Sequence, residues 1–125
     1  MAASSLKLFS GTSHPELAKE IAKSLKLPLS EMVISRFACG EIYAKPKETV
    51  RGNDVFVIQT ATANVNEDLM ELFIILDSLK RSFAGRLHVV MPHFAYSRQD
   101  RVAQPREPIS AKLVANLISA AGADH

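Results

Sequence analysis

Cysteine is nearly absent from this chain of 125 residues: Cys39 is the only one. A single thiol forms no internal disulfide, and no Cys and His cluster has zinc spacing. A reducing compartment and no structural metal are therefore the default. Long apolar runs are also missing, since none approaches the roughly 18 residues needed to span a bilayer. The opening Met1 to Ser5 is small and polar and lacks the charged and apolar regions of a signal peptide. Neither sign of charge dominates. Fifteen Lys and Arg against 13 Asp and Glu leave a net charge of +2, too balanced to mark a nucleic-acid footprint. Glycine and proline are sparse, at 5 and 6 residues, while hydrophobic residues make up 47% and charged residues 22%; disorder, collagen and a coiled-coil rod are excluded. A chain of this length buries roughly two-thirds of its unfolded surface, enough for one core. The expectation is a single soluble, cytoplasmic domain that binds neither nucleic acid nor membrane.

Against these absences stands a regular alternation of apolar segments. Leu6, Leu8 and Phe9 read as a strand that stops at Ser10, Gly11 and Thr12. Ser13 as cap, Pro15 at the first turn and Glu16 three residues after the cap then announce a helix. Leu17, Ala18, Ile21, Ala22 and Leu25 recur on one of its faces, and Pro28 ends it. Met32 to Phe37, resumed at Ile42 and Tyr43 after Gly40, fits an interrupted strand or a two-stranded ribbon, and Pro46 argues against a central strand there. Asp54 to Gln59 is a nearly continuous apolar run, as expected for a parallel strand covered on both faces. Asn66 caps a long expected helix to about Phe83, with Leu69, Leu72, Phe73, Leu76 and Leu79 on one face. Its Met70, Ile74 and Ile75 widen the apolar surface enough to imply more than one packing partner. Leu87 to Met91 is a further strand, and residues 92–108 are loop-like. A last helix from Ile109 buries Leu113, Val114, Leu117, Ile118 and Ala121 and stops at Gly122. Alternating strands and helices predict an α/β three-layer sandwich around a mainly parallel sheet.

Ligands of such sheets collect beyond the carboxyl ends of the strands, which directs attention to the loops after Phe9, Gln59 and Met91. The third is the most heavily loaded. His93, Phe94 and Tyr96 offer flat surfaces, Arg98 and Arg101 offer fixed positive charge for phosphate oxygens, and Gln99 adds an amide. Spacing alone does not separate this from a solvated charged loop. Ser10 to Ser13 places hydroxyls and Gly11 at a helix N-terminus, where free N–H groups favour anions. With neither a Walker lysine nor a GxGxxG pattern, a capped helix is the preferred reading. Cys39 has no neighbouring His to make it a nucleophile and reads as a turn thiol. His14, His88 and His93 are scattered, so no metal site is expected in this chain.

Several longer stretches carry more than spacing does: LFSGTSHPELAKEIA, RFACGEIY, ETVRGNDVFVIQ, NEDLMELFIILDSLKR, YSRQDR and PREPISAKLVANLISAAGAD. Together they resemble the ribose-phosphate pyrophosphokinases, also called phosphoribosyl pyrophosphate synthetases, over nearly the whole chain. The resemblance implies a phosphoribosyltransferase-like fold, with residues 1–125 as the truncated N-terminal domain of an enzyme whose C-terminal domain is absent from the chain. The implied reaction is diphosphate transfer from Mg-ATP to ribose 5-phosphate, giving 5-phosphoribosyl 1-pyrophosphate and AMP for nucleotide biosynthesis. Catalytic and Mg2+-binding residues would lie outside this chain, and the fragment alone would turn over nothing. A homo-oligomer is implied, commonly a hexamer in the complete enzyme.

The resemblance also assigns residues. The family's Phe-x-Asp-Gly-Glu turn, which holds adenine and is lent by a neighbouring subunit, matches Phe37, Cys39, Gly40 and Glu41. Cys39 stands in the Asp position, and a thiol does not accept from the adenine amino group as a carboxylate does. The Arg-Gln pair that contacts the nucleotide matches Arg98 and Gln99. A regulatory phosphate site at a subunit interface matches Arg51, with Thr49 and Ser82 beside it. Phe83 is bulky where the family often has small residues, and would fill that anion pocket. The alternative to a catalytic role is a non-catalytic regulatory or assembly subunit of the same family. A phosphoribosyltransferase that consumes the product is a third, more distant reading.

Overall fold

The computed structural model describes residues 5–125; of the polar opening stretch, residues 1–4 lie outside the described residues. The chain runs β1 (Leu6–Ser10), α1 (Pro15–Leu25), β2 (Met32–Arg36), β3 (Ile42–Pro46), β4 (Asp54–Ile58), α2 (Val65–Arg81), β5 (Arg86–Val90) and α3 (Ser110–Ala121). Strands β1, β4 and β5 form a parallel sheet in the order β1-β4-β5, with Leu8 opposite Phe56 and Phe56 opposite His88. Alternation along the strands divides the core in two. Leu8 and Ile58 face Ala18 and Ala22 of α1. Phe9, Val55, Val57 and Leu87 face α2 and α3 through Leu72, Ile75, Leu76, Leu79, Val114 and Ile118. These are the three layers that the alternation predicts.

The apolar segment after α1 resolves into the ribbon reading. β2 and β3 pair antiparallel, apart from the main sheet, with Ser35 opposite Tyr43. Met32, Ile34 and Ala44 pack the ribbon against the main core, and its tip, residues 37–41, projects beyond it. A proline at the end of a two-stranded ribbon removes no ladder bond that a central strand would need.

Several boundaries differ from expectation. His14, not Ser13, caps α1: its Nδ1 accepts from the Leu17 N–H at 3.2 Å. Ser13 is held one residue earlier because its own N–H donates to Gln59 Oε1 at 3.2 Å. The helix ends at Lys26, which takes a left-handed conformation (φ 56°), before Pro28 is reached. Leu25 is correspondingly exposed. α2 begins after Asn64, so Asn66 lies inside the first turn instead of capping it. In α3, Val114 and Ile118 are buried, but Leu113 and Leu117 are exposed on the flank that faces α2. Beyond Gly122, Asp124 N–H donates to Leu87 O at 2.7 Å and Val89 N–H donates to His125 O at 2.8 Å, so the last residues lie along the free edge of β5. No helix among the described residues is long and apolar enough to cross a membrane.

Candidate functional site

Loops from four elements meet at the carboxyl end of the sheet around the first two turns of α2. The loop after β1 arrives first. Thr12 donates to Glu71 through both its N–H (2.7 Å, to Oε2) and its hydroxyl (2.6 Å, to Oε1). Gln59, at the end of β4, donates through Nε2 to Glu71 Oε2 at 2.7 Å and to Asp68 O at 3.1 Å. Glu71 is 3% exposed and Gln59 is 1% exposed, a burial that a carboxylate tolerates only when its lone pairs are satisfied. Gly11 is required here, because a Cβ would stand 2.1 Å from Gln59 Oε1. Of the N–H groups ahead of α1, which the sequence marks as a place for an anion, that of Thr12 already donates to a carboxyl of the chain itself, Glu71, and that of Ser13 to Gln59 Oε1. The capped-helix reading of residues 10–13 stands, with the cap at His14.

Asp68 ties down the next loop, accepting from Thr62 N–H at 2.8 Å and Thr62 Oγ1 at 2.7 Å. Glu67 pairs with Arg36 at the end of β2, Oε2 to Nη1 at 2.6 Å. Asn66 Oδ1 accepts from the Tyr96 hydroxyl in the loop after β5. Four positions of α2, Asn66, Glu67, Asp68 and Glu71, therefore each hold a different segment. Of these, the sequence reading singled out only Asn66, as a cap; a signal for Glu71 exists, since it falls on the same helical face as Ile75 and Leu79, both fully buried.

Phe37, Cys39, Gly40 and Glu41 come together as the ribbon tip and line a groove of about 570 Å³ against Glu67, Met70 and Ile74 of α2. The tip is a tight turn. Gly40 N–H donates to Phe37 O at 2.8 Å and Phe37 N–H donates to Glu41 O at 2.8 Å, and Gly40 takes φ 95°, a conformation that glycine adopts without strain. Phe37 is 56% exposed, with its ring edge-on to Tyr43 and 6.0 Å between centroids. Cys39 Sγ donates to Glu41 Oε1 at 3.1 Å.

Arg98 and Gln99 do not line this groove. Both are exposed in the β5–α3 loop, whose Tyr96 is bonded to Asn66 of α2. Gln99 O accepts from Ala111 N–H at 3.0 Å and Gln99 Oε1 accepts from Ser110 Oγ at 2.7 Å. Ile109 has no side-chain group that caps α3, so Gln99 supplies the acceptor that the helix N-terminus needs. Tyr96 sits at φ 62°, a strained value for a bulky residue, pinned by its hydroxyl on Asn66.

Arg51 and the segment at Ser82 also meet. Arg51 bridges Ala84, and its guanidinium carbon lies 4.6 Å from the centroid of the exposed Phe83 ring. Ser82 Oγ donates to Ser78 O at 2.8 Å, and Thr49 is exposed nearby in sequence. His14 serves as a helix cap and His88 stacks between Phe56 (4.2 Å) and His125 (4.9 Å). His93 meets Thr60 Oγ1 through its backbone N–H at 2.9 Å.

Comparison with known proteins places this arrangement. A family model described as the N-terminal domain of ribose phosphate pyrophosphokinase matches residues 6–122. The ribose-phosphate pyrophosphokinase of Clostridium perfringens is 55% identical over 119 residues, which cover 95% of this chain and 37% of the relative. That of Wolinella succinogenes is 53% identical over 117 residues, covering 94% of this chain and 38% of the relative. A crystal structure of phosphoribosylpyrophosphate synthetase from Mycobacterium smegmatis superposes with a TM-score of 0.94 at 46% identity, covering 97% of this chain and 41% of that one. The chain thus spans between 37% and 41% of the length of these three relatives. With 117 of its residues in one family model and half or more of its aligned positions shared with curated members, the chain belongs to the ribose-phosphate pyrophosphokinase family.

Proposed function

We propose that this chain is the nucleotide-binding N-terminal domain of an enzyme that transfers diphosphate from Mg-ATP to ribose 5-phosphate, giving 5-phosphoribosyl 1-pyrophosphate and AMP. One observation carries the reading: Phe37, Cys39, Gly40 and Glu41 converge on one groove and leave an aromatic face uncovered. A half-exposed Phe on a glycine turn suits stacking on a purine. Arg98, exposed and always charged, suits a clamp on phosphate oxygens, where phosphoryl chemistry needs aligned oxygens and cationic donors more than a protein nucleophile. Gln99 would orient the same ligand. The turn and the Arg-Gln loop do not line one groove, which suits a site shared between subunits of a homo-oligomer, a hexamer in the complete enzyme.

Mg2+ enters this reading with the triphosphate. Among the described residues no three His, Cys, Asp or Glu groups converge to hold a metal, so no step is assigned to a cation bound by this chain. Arg51, with Thr49 and Ser82, is the proposed regulatory phosphate contact, and its stacking on Phe83 sets the aromatic ring in competition with the anion. Action in the cytoplasm belongs to the same proposal.

A second reading, a non-catalytic regulatory or assembly subunit, is favoured by Cys39, whose thiol donates to Glu41 where a carboxylate would accept from a base. Titration with Mg-ATP tests both. On the catalytic reading Phe37→Ala and Arg98→Ala each weaken binding about tenfold or more, in line with the loss of a stacking or charge-assisted contact. Unchanged affinity in both variants contradicts it.

A further inference from the structure

We infer that Arg36 and Glu67 are positioning residues for the 37–41 turn, a brace that fixes the turn against α2. The inference rests on the nucleotide reading of that turn. Within the tip, the hydrogen bonds of Phe37, Gly40, Cys39 and Glu41 are made to one another. They shape the turn but do not say where it stands relative to the body of the domain. Arg36 does. Its Nη1 donates to Gly40 O at 3.2 Å and reaches Glu67 Oε2 at 2.6 Å. One guanidinium thus ties the carbonyl at the exit of the turn to the first turn of α2, and Glu67 itself lines the same groove as Phe37.

The brace acts on position, not on global stability. Its side chains are 48% and 60% exposed, and exposed ion pairs of this kind contribute little to folding. The ribbon is anchored separately, through Met32, Ile34 and Ala44 in the core. An exposed tip beyond such an anchor samples many poses unless something outside it restrains them, and restraint before binding is what raises affinity without a new ligand contact. Glu67 near the N-terminus of α2 is also favoured by the helix dipole, which keeps the carboxylate end of the brace in place.

The test compares Arg36→Met, Glu67→Gln and the double variant in the full chain, by Mg-ATP titration, amide exchange at Phe37 and Gly40, and thermal melting. Each single substitution is expected to speed exchange in the turn and to weaken Mg-ATP about three- to tenfold, a pre-organisation loss. The double variant is expected to lose no more than Arg36→Met alone, because the two side chains act as one unit. Melting temperatures stay unchanged. Phe37→Ala, run in parallel, separates the two ideas. If Phe37→Ala weakens binding and Glu67→Gln does not, the brace is overturned while the nucleotide reading survives. If Phe37→Ala has no effect, the nucleotide reading fails, and unchanged exchange at Gly40 in Glu67→Gln then overturns the brace as well.

Discussion

Two polar regions share the N-terminal turns of α2 and differ in what surrounds them. Thr12, Gln59 and Glu71 form a junction whose two larger side chains are almost entirely buried, with both carboxylate oxygens of Glu71 accepting hydrogen bonds. Phe37, Cys39, Gly40 and Glu41 form an exposed tip whose bonds are local. The first contains a buried carboxyl group and is structural: its hydrogen-bond partners are its own neighbours. The second carries an aromatic ring, a thiol and the exposed carboxyl of Glu41, and has open surface to offer. Satisfied burial marks architecture, whereas an uncovered aromatic face on a positioned turn marks a place for something else to bind.

The largest expected effect breaks the junction. Glu71→Leu leaves the Thr12 N–H and hydroxyl without acceptors and Gln59 Nε2 with Asp68 O alone, and should destabilise the domain by about 3 kcal/mol, as removing one member of a buried polar network does. Gly11→Ala should cost about 2 kcal/mol for a comparable reason, since the added methyl meets Gln59 Oε1. Denaturant unfolding measures both, and a midpoint unchanged in either variant would show that the junction is not the keystone described. Substitutions in the tip should do the reverse, changing ligand affinity while the unfolding midpoint holds.

Cys39→Asp sharpens the contrast at the tip itself. A carboxylate that accepts from an adenine amino group should strengthen Mg-ATP binding about threefold, the size of one modest hydrogen bond. Calorimetric titration reads it, and an unchanged affinity would support the non-catalytic reading. Phe83→Ala releases Arg51 from its stacked ring and should bring inorganic phosphate binding up about twofold, as expected when an exposed cation–π contact is removed; chemical shifts at Arg51 report it.

The smallest effect concerns pH. Lys7 and Ser30, hydrogen bonded to Glu48, hold its carboxyl below the ordinary value of 4.5, against a minor opposing effect of burial. Its folded-state pKa is depressed, so the stabilising contribution is present at neutral pH, above the unfolded value, and is lost as pH falls through the folded one. Replacing Glu48 with Gln should lower stability slightly at pH 7, where the contribution is present, and leave it unchanged at the acid end, where the contribution is already lost, so that denaturant midpoints followed against pH show a flatter acid limb.

Much of this was legible in the residues. DVFVI spans a strand covered on both faces because Val55 and Val57 meet α2 while Phe56 and Ile58 meet α1. The apolar runs therefore located β1, β4 and β5, and the Phe-x-x-Gly-Glu pattern located the ribbon tip. What was not legible depended on partners distant in sequence. Ser13 looked like the better cap, but Gln59, 46 residues away, claims its N–H. Glu71 looked like one more polar position on a helix until Thr12, 59 residues away, met it. Arg36 looked like the residue before a motif. Only the antiparallel return of β3 and the packing of the ribbon on α2 set it between Gly40 and Glu67.

The most direct test of the account is a Mg-ATP titration of the isotope-labelled chain followed residue by residue. Saturable shifts at Phe37, Gly40 and Glu41 and at Arg98 and Gln99, with Thr12, Gln59 and Glu71 unmoved, are the predicted result. Shifts confined to the buried junction, or none at the tip and the Arg-Gln loop, would contradict it.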